Sequence, residues 1–199
     1  MQESIDRFIP TADVRERHET IVRAPAGLVF DVAENFAMES LPLVRAIFWL
    51  RSKLMRSSSR SPARPLAMKE LTSLGWGVLS RTPGRELVAG AVTQPWRGDV
   101  TFRAVAPERF AEFAEPDLVK IVWTLEAEPL GPALTRFRSQ TRVLATDDAA
   151  RRKFRRYWRF VGVGIVAIRW LVGRAVRREA EQSYSRLLRG VAASGRLAV

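Results

Sequence analysis

The chain has 199 residues, 47% of them hydrophobic, with six Trp, no Cys and one His, and its formal charge is +12. One domain is the natural reading, since a chain of this length buries roughly 70% of its unfolded surface and needs neither disulfide nor structural metal. The missing thiols remove disulfide scaffolds, thiolate zinc sites, iron–sulfur clusters and cysteine nucleophiles. A single His18 argues against a His-based metal site or a Ser-His triad, so no metal, no cofactor and no fixed catalytic residue are expected.

The N-terminus lacks a signal-peptide apolar core, and the longest uncharged apolar run, Phe160 to Ile168, falls far short of the ~20 residues that span a bilayer. The expectation is a cytoplasmic protein, at most peripheral to a membrane. Arg supplies 29 of the 33 basic residues, and a sequence pI near 11.3 implies attraction to something anionic.

In chain order, residues 1–12 read as a loose tail, and Val14 to Ala24 has the β-branched content and partial alternation of a strand ended by Pro25. Leu28, Val29, Val32 and Phe36 then fall at helical spacing behind a proline that suits a helix start. A second helix is predicted from Pro42, with Leu43, Ile47, Leu50 and Leu54 on one stripe and Arg45, Trp49, Lys53 and Arg56 opposite. The following RSSSRSPARP has no apolar periodicity and reads as a surface loop.

From Glu70 the period changes to two. LTSLGWGVLS, a Pro83-Gly84 turn and ELVAGAVT predict a hairpin with Trp76 and Val78 on the face of Leu87, Ala89 and Ala91. In a second hairpin Val119, Ile121, Trp123, Leu125 and Ala127 alternate with Lys120, Thr124, Glu126 and Glu128. Its return strand alternates Phe137, Ser139, Thr141 and Val143 with Arg136, Arg138, Gln140 and Arg142, so one sheet face is predicted buried and the other wet.

The last element starts behind the capping signal Thr146-Asp147-Asp148. Phe154, Tyr157, Trp158, Val161, Ile165, Ile168, Val172 and Val176 share one face of a long helix with a candidate kink at Gly162 and Gly164. Arg151, Arg152, Arg155, Arg156, Arg159, Arg174 and Arg177 share the other.

These elements form an α+β helix-grip order: a strand, two short helices, antiparallel strands and one long C-terminal helix. With VRERHETIVRAPAGLVF, TPGRELVAGAVTQPW, FAEFAEPDLVKIVW and TRFRSQTRVLATDDAARRKFRRYW, the sequence resembles the START-like (SRPBCC) superfamily, and more narrowly a group of uncharacterised bacterial members. The resemblance runs from Asp13 to Glu181 and places a single domain at 13–190, with loose tails at 1–12 and 191–199. At Val161 to Gly164, VGVG stands where the group has a Pro-Gly-Ser-like break.

The resemblance implies a curved sheet around the long helix, with a cavity between them for a hydrophobic small molecule or lipid. His18, Trp76, Ile121, Trp123, Phe137, Ser139, Thr141, Phe154, Trp158 and Ile165 are the candidate ligand-binding residues. A packed core would use the same residue types. A polyketide cyclase-like enzyme, with His18 or a buried carboxylate as acid–base group, is the alternative, weakened by the lack of convergent polar residues.

The RRKFRRYWR run places its aromatics on the core stripe and its cations on the solvent stripe, which argues for a solvated basic face rather than a nucleic-acid site. Val163, Val166 and Trp170 instead occupy the sector held by arginines elsewhere in the helix. With Trp49 on the basic second helix, they form a candidate membrane or partner surface. Burial under the second helix or the Ser/Arg loop is the first reading of that patch, followed by a homodimer interface and an anionic membrane surface.

Overall fold

A computed structural model describes residues 3–37 and 72–194, together with positions 40–42, 45, 46, 49 and 53. Its α+β architecture is the expected helix-grip arrangement: a curved antiparallel sheet with a long C-terminal helix across its inner face. The strands are β1 (Val14–Val22), β2 (Gly77–Thr82), β3 (Glu86–Thr93), β4 (Phe102–Arg103), β5 (Val119–Gly131) and β6 (Leu134–Ala145). The helices are α1 (Ala26–Asn35), the single turn α2 (Pro107–Phe110) and α3 (Asp148–Ser194). Among the described residues the sheet order is β1-β6-β5-β3-β2, with β4 paired to β3.

Both predicted hairpins are present. Val78 pairs with Ala89 across the first, which places it on the face of Leu87 and Ala91, and a register shift follows between Val78 and Ser80. Gly84 in the turn has φ 69, a left-handed conformation that glycine adopts without a Cβ clash. In the second hairpin Trp123 lies opposite Thr141, and β6 pairs in turn with β1, setting Glu16 opposite Thr141 and His18 opposite Ser139.

The inner core joins α1 and α3 to the sheet through Val29, Phe30, Leu125, Phe137, Val172 and Val176. Each such buried side chain contributes roughly 1.5–3 kcal/mol. Asp147 caps α3, accepting the Ala150 N–H at 2.7 Å while its other carboxylate oxygen accepts the Asp117 N–H at 2.5 Å. These backbone donors hold its carboxyl below the usual aspartate value. The helix is continuous through Gly162 and Gly164 and runs beyond residue 190 to Ser194.

The outer sheet face is not simply wet. A 3₁₀ turn at Ser4–Arg7 brings Ile5, Phe8 and Ile9 onto Leu79, Val88, Val122 and Phe110, so residues 3–9 are docked where a loose tail was expected. Lys120, Thr124, Gln140 and Arg142, expected in solvent, are buried here. Arg142 donates to Asp6 at 2.5 Å, to the Ile9 carbonyl at 2.8 Å and to Glu3 at 3.1 Å. Lys120 donates to the Ala111 carbonyl at 2.7 Å, and burial lowers its pKa.

Most of the predicted second helix and the whole Ser/Arg loop lie outside the described residues. Pro42, Arg45, Ala46, Trp49 and Lys53 are helical where described.

Candidate functional site

Strand alternation and the apolar stripe of α3 converge on a partly open cavity of about 220 Å³ between sheet and helix. Its walls are His18 from β1, Ile121, Trp123 and Leu125 from β5, Phe137, Ser139 and Thr141 from β6, and Ile165, Ile168, Arg169, Val172 and Gly173 from α3. Trp76, just ahead of β2, completes it. Trp76 is set by Gly75, whose φ of 90 and 2.1 Å approach of any Cβ to the Phe102 carbonyl oxygen exclude a side chain. The Trp76 ring then lies 5.2 Å from that of Phe102.

Eight of the ten residues singled out from the sequence meet at this cavity: His18, Trp76, Ile121, Trp123, Phe137, Ser139, Thr141 and Ile165. Phe154 and Trp158 do not. They pack with Val119, Val143 and Ala145 in a separate cluster near the start of α3, their rings 5.7 Å apart. Trp158 is turned along its own helix, where a Cβ at Gly162 would stand 2.9 Å from the indole. The periodicity placed both aromatics on the correct face, but not at the depth of the cavity.

The lining is apolar except at two places. Ser139 is engaged structurally, accepting the Trp123 indole N–H at 3.0 Å and so orienting that ring. Thr141 accepts Arg169 Nη2 at 2.6 Å, whereas Arg169 Nε and Nη1 are buried with no hydrogen-bond partner. His18 Nε2 is likewise buried and unpartnered. Burial, and next the nearby Arg169 charge, lower the His18 pKa. Burial also lowers that of Arg169, opposed by Glu16.

Arg169 is the functional candidate that sequence reasoning missed. At roughly 100° per residue it falls on the flank of the apolar stripe, one turn beyond Ile165 and at the same angle as Arg151. An arginine bordering the apolar stripe, deep within the helix, was the available signal. Among the described residues no group of three His, Cys, Asp or Glu side chains is arranged to hold a metal ion.

Val163, Val166 and Trp170 are exposed; the Ser/Arg loop and most of the second helix, under which burial was expected, lie outside the described residues. Val163 is 80% and Trp170 50% accessible, and Phe160 beside them is 77% accessible. Trp49 is also exposed. The Arg174 guanidinium lies 4.6 Å from the Trp170 ring centroid, and Arg152, Arg156, Arg159 and Arg177 are exposed along the same helix. Among the described residues no helix is long and apolar enough to cross a membrane.

No protein-family model and no curated protein matches the chain. Among solved structures, the Zhui aromatase/cyclase from Streptomyces sp. R1128 aligns at 13% identity and a TM-score of 0.28, covering 85% of this chain and 94% of that one. The di-domain ARO/CYC BexL from the BE-7585A biosynthetic pathway aligns at 14% identity and a TM-score of 0.28, over 78% of this chain and 44% of that one. Superposition this loose carries no argument about activity.

Proposed function

We propose that this protein is a START-like binding module that holds a small hydrophobic molecule between the inner sheet face and α3. The observation that supports this reading is the cavity itself, lined by Trp76, Trp123, Phe137, Ile165 and Ile168. Its volume of about 220 Å³ lies below the ~300–1,000 Å³ of drug-sized sites, which favours a ligand of one or two rings over a full lipid. Native mass spectrometry of freshly purified protein, followed by organic extraction, tests it. A reproducible adduct that is lost on denaturation and absent from the cavity-filling variant Ile168→Trp is expected. A bare mass, with no small aromatic taken up when supplied, overturns the reading.

The enzyme alternative has one observation in its favour, the unpartnered His18 Nε2 beside a buried cation. Among the described residues no second neutral-range acid–base group lines the space, so binding is the better-supported role.

A second surface role is favoured by the exposure of Phe160, Val163 and Trp170 between exposed arginines. An apolar ridge with cationic flanks is complementary to an anionic lipid surface. Co-sedimentation with phosphatidylglycerol/phosphatidylcholine vesicles, weakening with salt and lost in Trp170→Glu, is the expected result. Equal sedimentation of wild type and variant removes this role, and concentration-dependent dimerisation abolished by Trp170→Glu assigns the ridge to a second copy instead.

A further inference from the structure

The cavity carries a feature that an apolar ligand alone does not explain. Arg169 forms part of the wall of a space lined mainly by aromatic and aliphatic side chains, and two of its three guanidinium nitrogens are buried without a partner. Nη2 carries two hydrogens, and Thr141 takes one of them. If Thr141 takes the outer hydrogen, the Nε and Nη2 edge stays unpaired; if it takes the inner one, the Nη1 and Nη2 edge stays unpaired. One complete two-donor edge therefore remains unpaired; its nitrogens are covered in this structure, so a carboxylate, whose geometry it matches, meets it once the covering side chains shift.

Neighbouring groups do not neutralise this edge. Glu16, opposite Thr141 in the β1–β6 ladder, attracts Arg169 electrostatically without forming a hydrogen bond or ion pair to it. His18, one inward position along β1, adds no negative charge, and burial and Arg169 together favour its neutral form. The other side chains facing Arg169 across the cavity are uncharged. A buried guanidinium with unmet donors is costly and is retained where something pairs with it. Arg142 on the outer sheet face shows the contrast within the same molecule, since its buried guanidinium meets Asp6, Glu3 and the Ile9 carbonyl.

We infer that the cavity binds a small apolar monocarboxylate, with its ring system among Trp76, Trp123 and Phe137 and its carboxylate on the unpaired edge of Arg169. This rests on the proposed binding role of the cavity and narrows it to a charge class. His18, Thr141 and Arg169 gather on the β1, β6 and α3 walls of the space, which sets the polar end of the guest.

Naphthalene-2-carboxylate and its neutral counterpart naphthalene-2-carboxamide separate the two claims when titrated calorimetrically into the full-length protein. They share ring and shape and differ in charge. The wild type is expected to bind the carboxylate about ten- to a hundredfold more tightly, the margin of a charge-assisted hydrogen-bonded pair. Arg169→Met should abolish that preference and leave carboxamide binding intact, while Arg169→Lys should retain part of it. Equal wild-type affinities overturn the inference and leave the cavity reading standing. Binding of neither probe overturns both. A preference that survives in Arg169→Met assigns the anion to another group and overturns the role given to Arg169.

Discussion

The His18 imidazole lies flush against the backbone of α3 at Gly173, where a Cβ would stand 2.4 Å from both Cδ2 and Nε2 of the ring. Strand β1 and the last helix are thus spaced by one aromatic ring resting where a side chain is missing. Gly173→Ala should destabilise the protein by about 1–3 kcal/mol through overpacking, despite the gain of about 1 kcal/mol that alanine brings to a helix interior. In a His18→Ala background the same substitution should become stabilising by about 1 kcal/mol. Urea denaturation of the four variants of the cycle reads this sign change, and additivity would show that the ring and the glycine are independent.

His18 also sets a pH dependence. Its folded pKa lies below the ordinary 6.5, so as pH falls the unfolded chain takes up the proton first. The stability contributed by neutral His18 is complete above 6.5 and is lost as pH drops through the folded value. Between pH 6.5 and about 5, above the ordinary values of the pH-sensitive carboxylates Asp6 and Glu19, the urea midpoint of the wild type should fall. The fall should be absent in His18→Gln; an identical slope in both proteins would place the titration elsewhere.

The docked N-terminal turn is part of the fold. Ile9 is fully buried, and Ile9→Ala should cost about 2–5 kcal/mol, as large-to-small changes in a core do. A thermal melt within experimental scatter of the wild type would mean that residues 3–9 are not held on the sheet in solution.

Arg142 and Arg169 should respond in opposite directions to replacement by methionine. Arg142→Met removes three hydrogen bonds to the N-terminal segment and should cost about 1–3 kcal/mol, because Asp6 and Glu3 are partly solvated. Arg169→Met removes a buried charge with unmet donors and, without ligand, should stabilise by about 1–3 kcal/mol. Denaturant midpoints compare them directly. Destabilisation by both substitutions would indicate that Arg169 is already satisfied in the unliganded protein.

Short-range regularity accounts for what could be read from the sequence alone. Alternation in β5 and β6, the Pro83-Gly84 turn, the Asp147 cap and the stripe along α3 each depend on neighbours a few residues apart, and each specifies an element and its inward side. That was enough to bring His18, Trp123, Ser139 and Thr141 to one face of one sheet. Periodicity assigns a face, but it does not state what covers the opposite one or how far along a helix a cavity lies.

Those matters were decided by contacts between distant parts of the chain. Burial of Arg142 depends on Asp6, 136 residues away, and an apolar segment as short as Ile5 to Ile9 has no period to reveal its docking. Trp158 turned along α3 because Gly162 leaves room for the indole there, and Arg169 turned inward because Thr141 meets its guanidinium. Side-chain direction at such positions follows from packing and hydrogen bonding across elements, which exist only once the helix lies on the sheet.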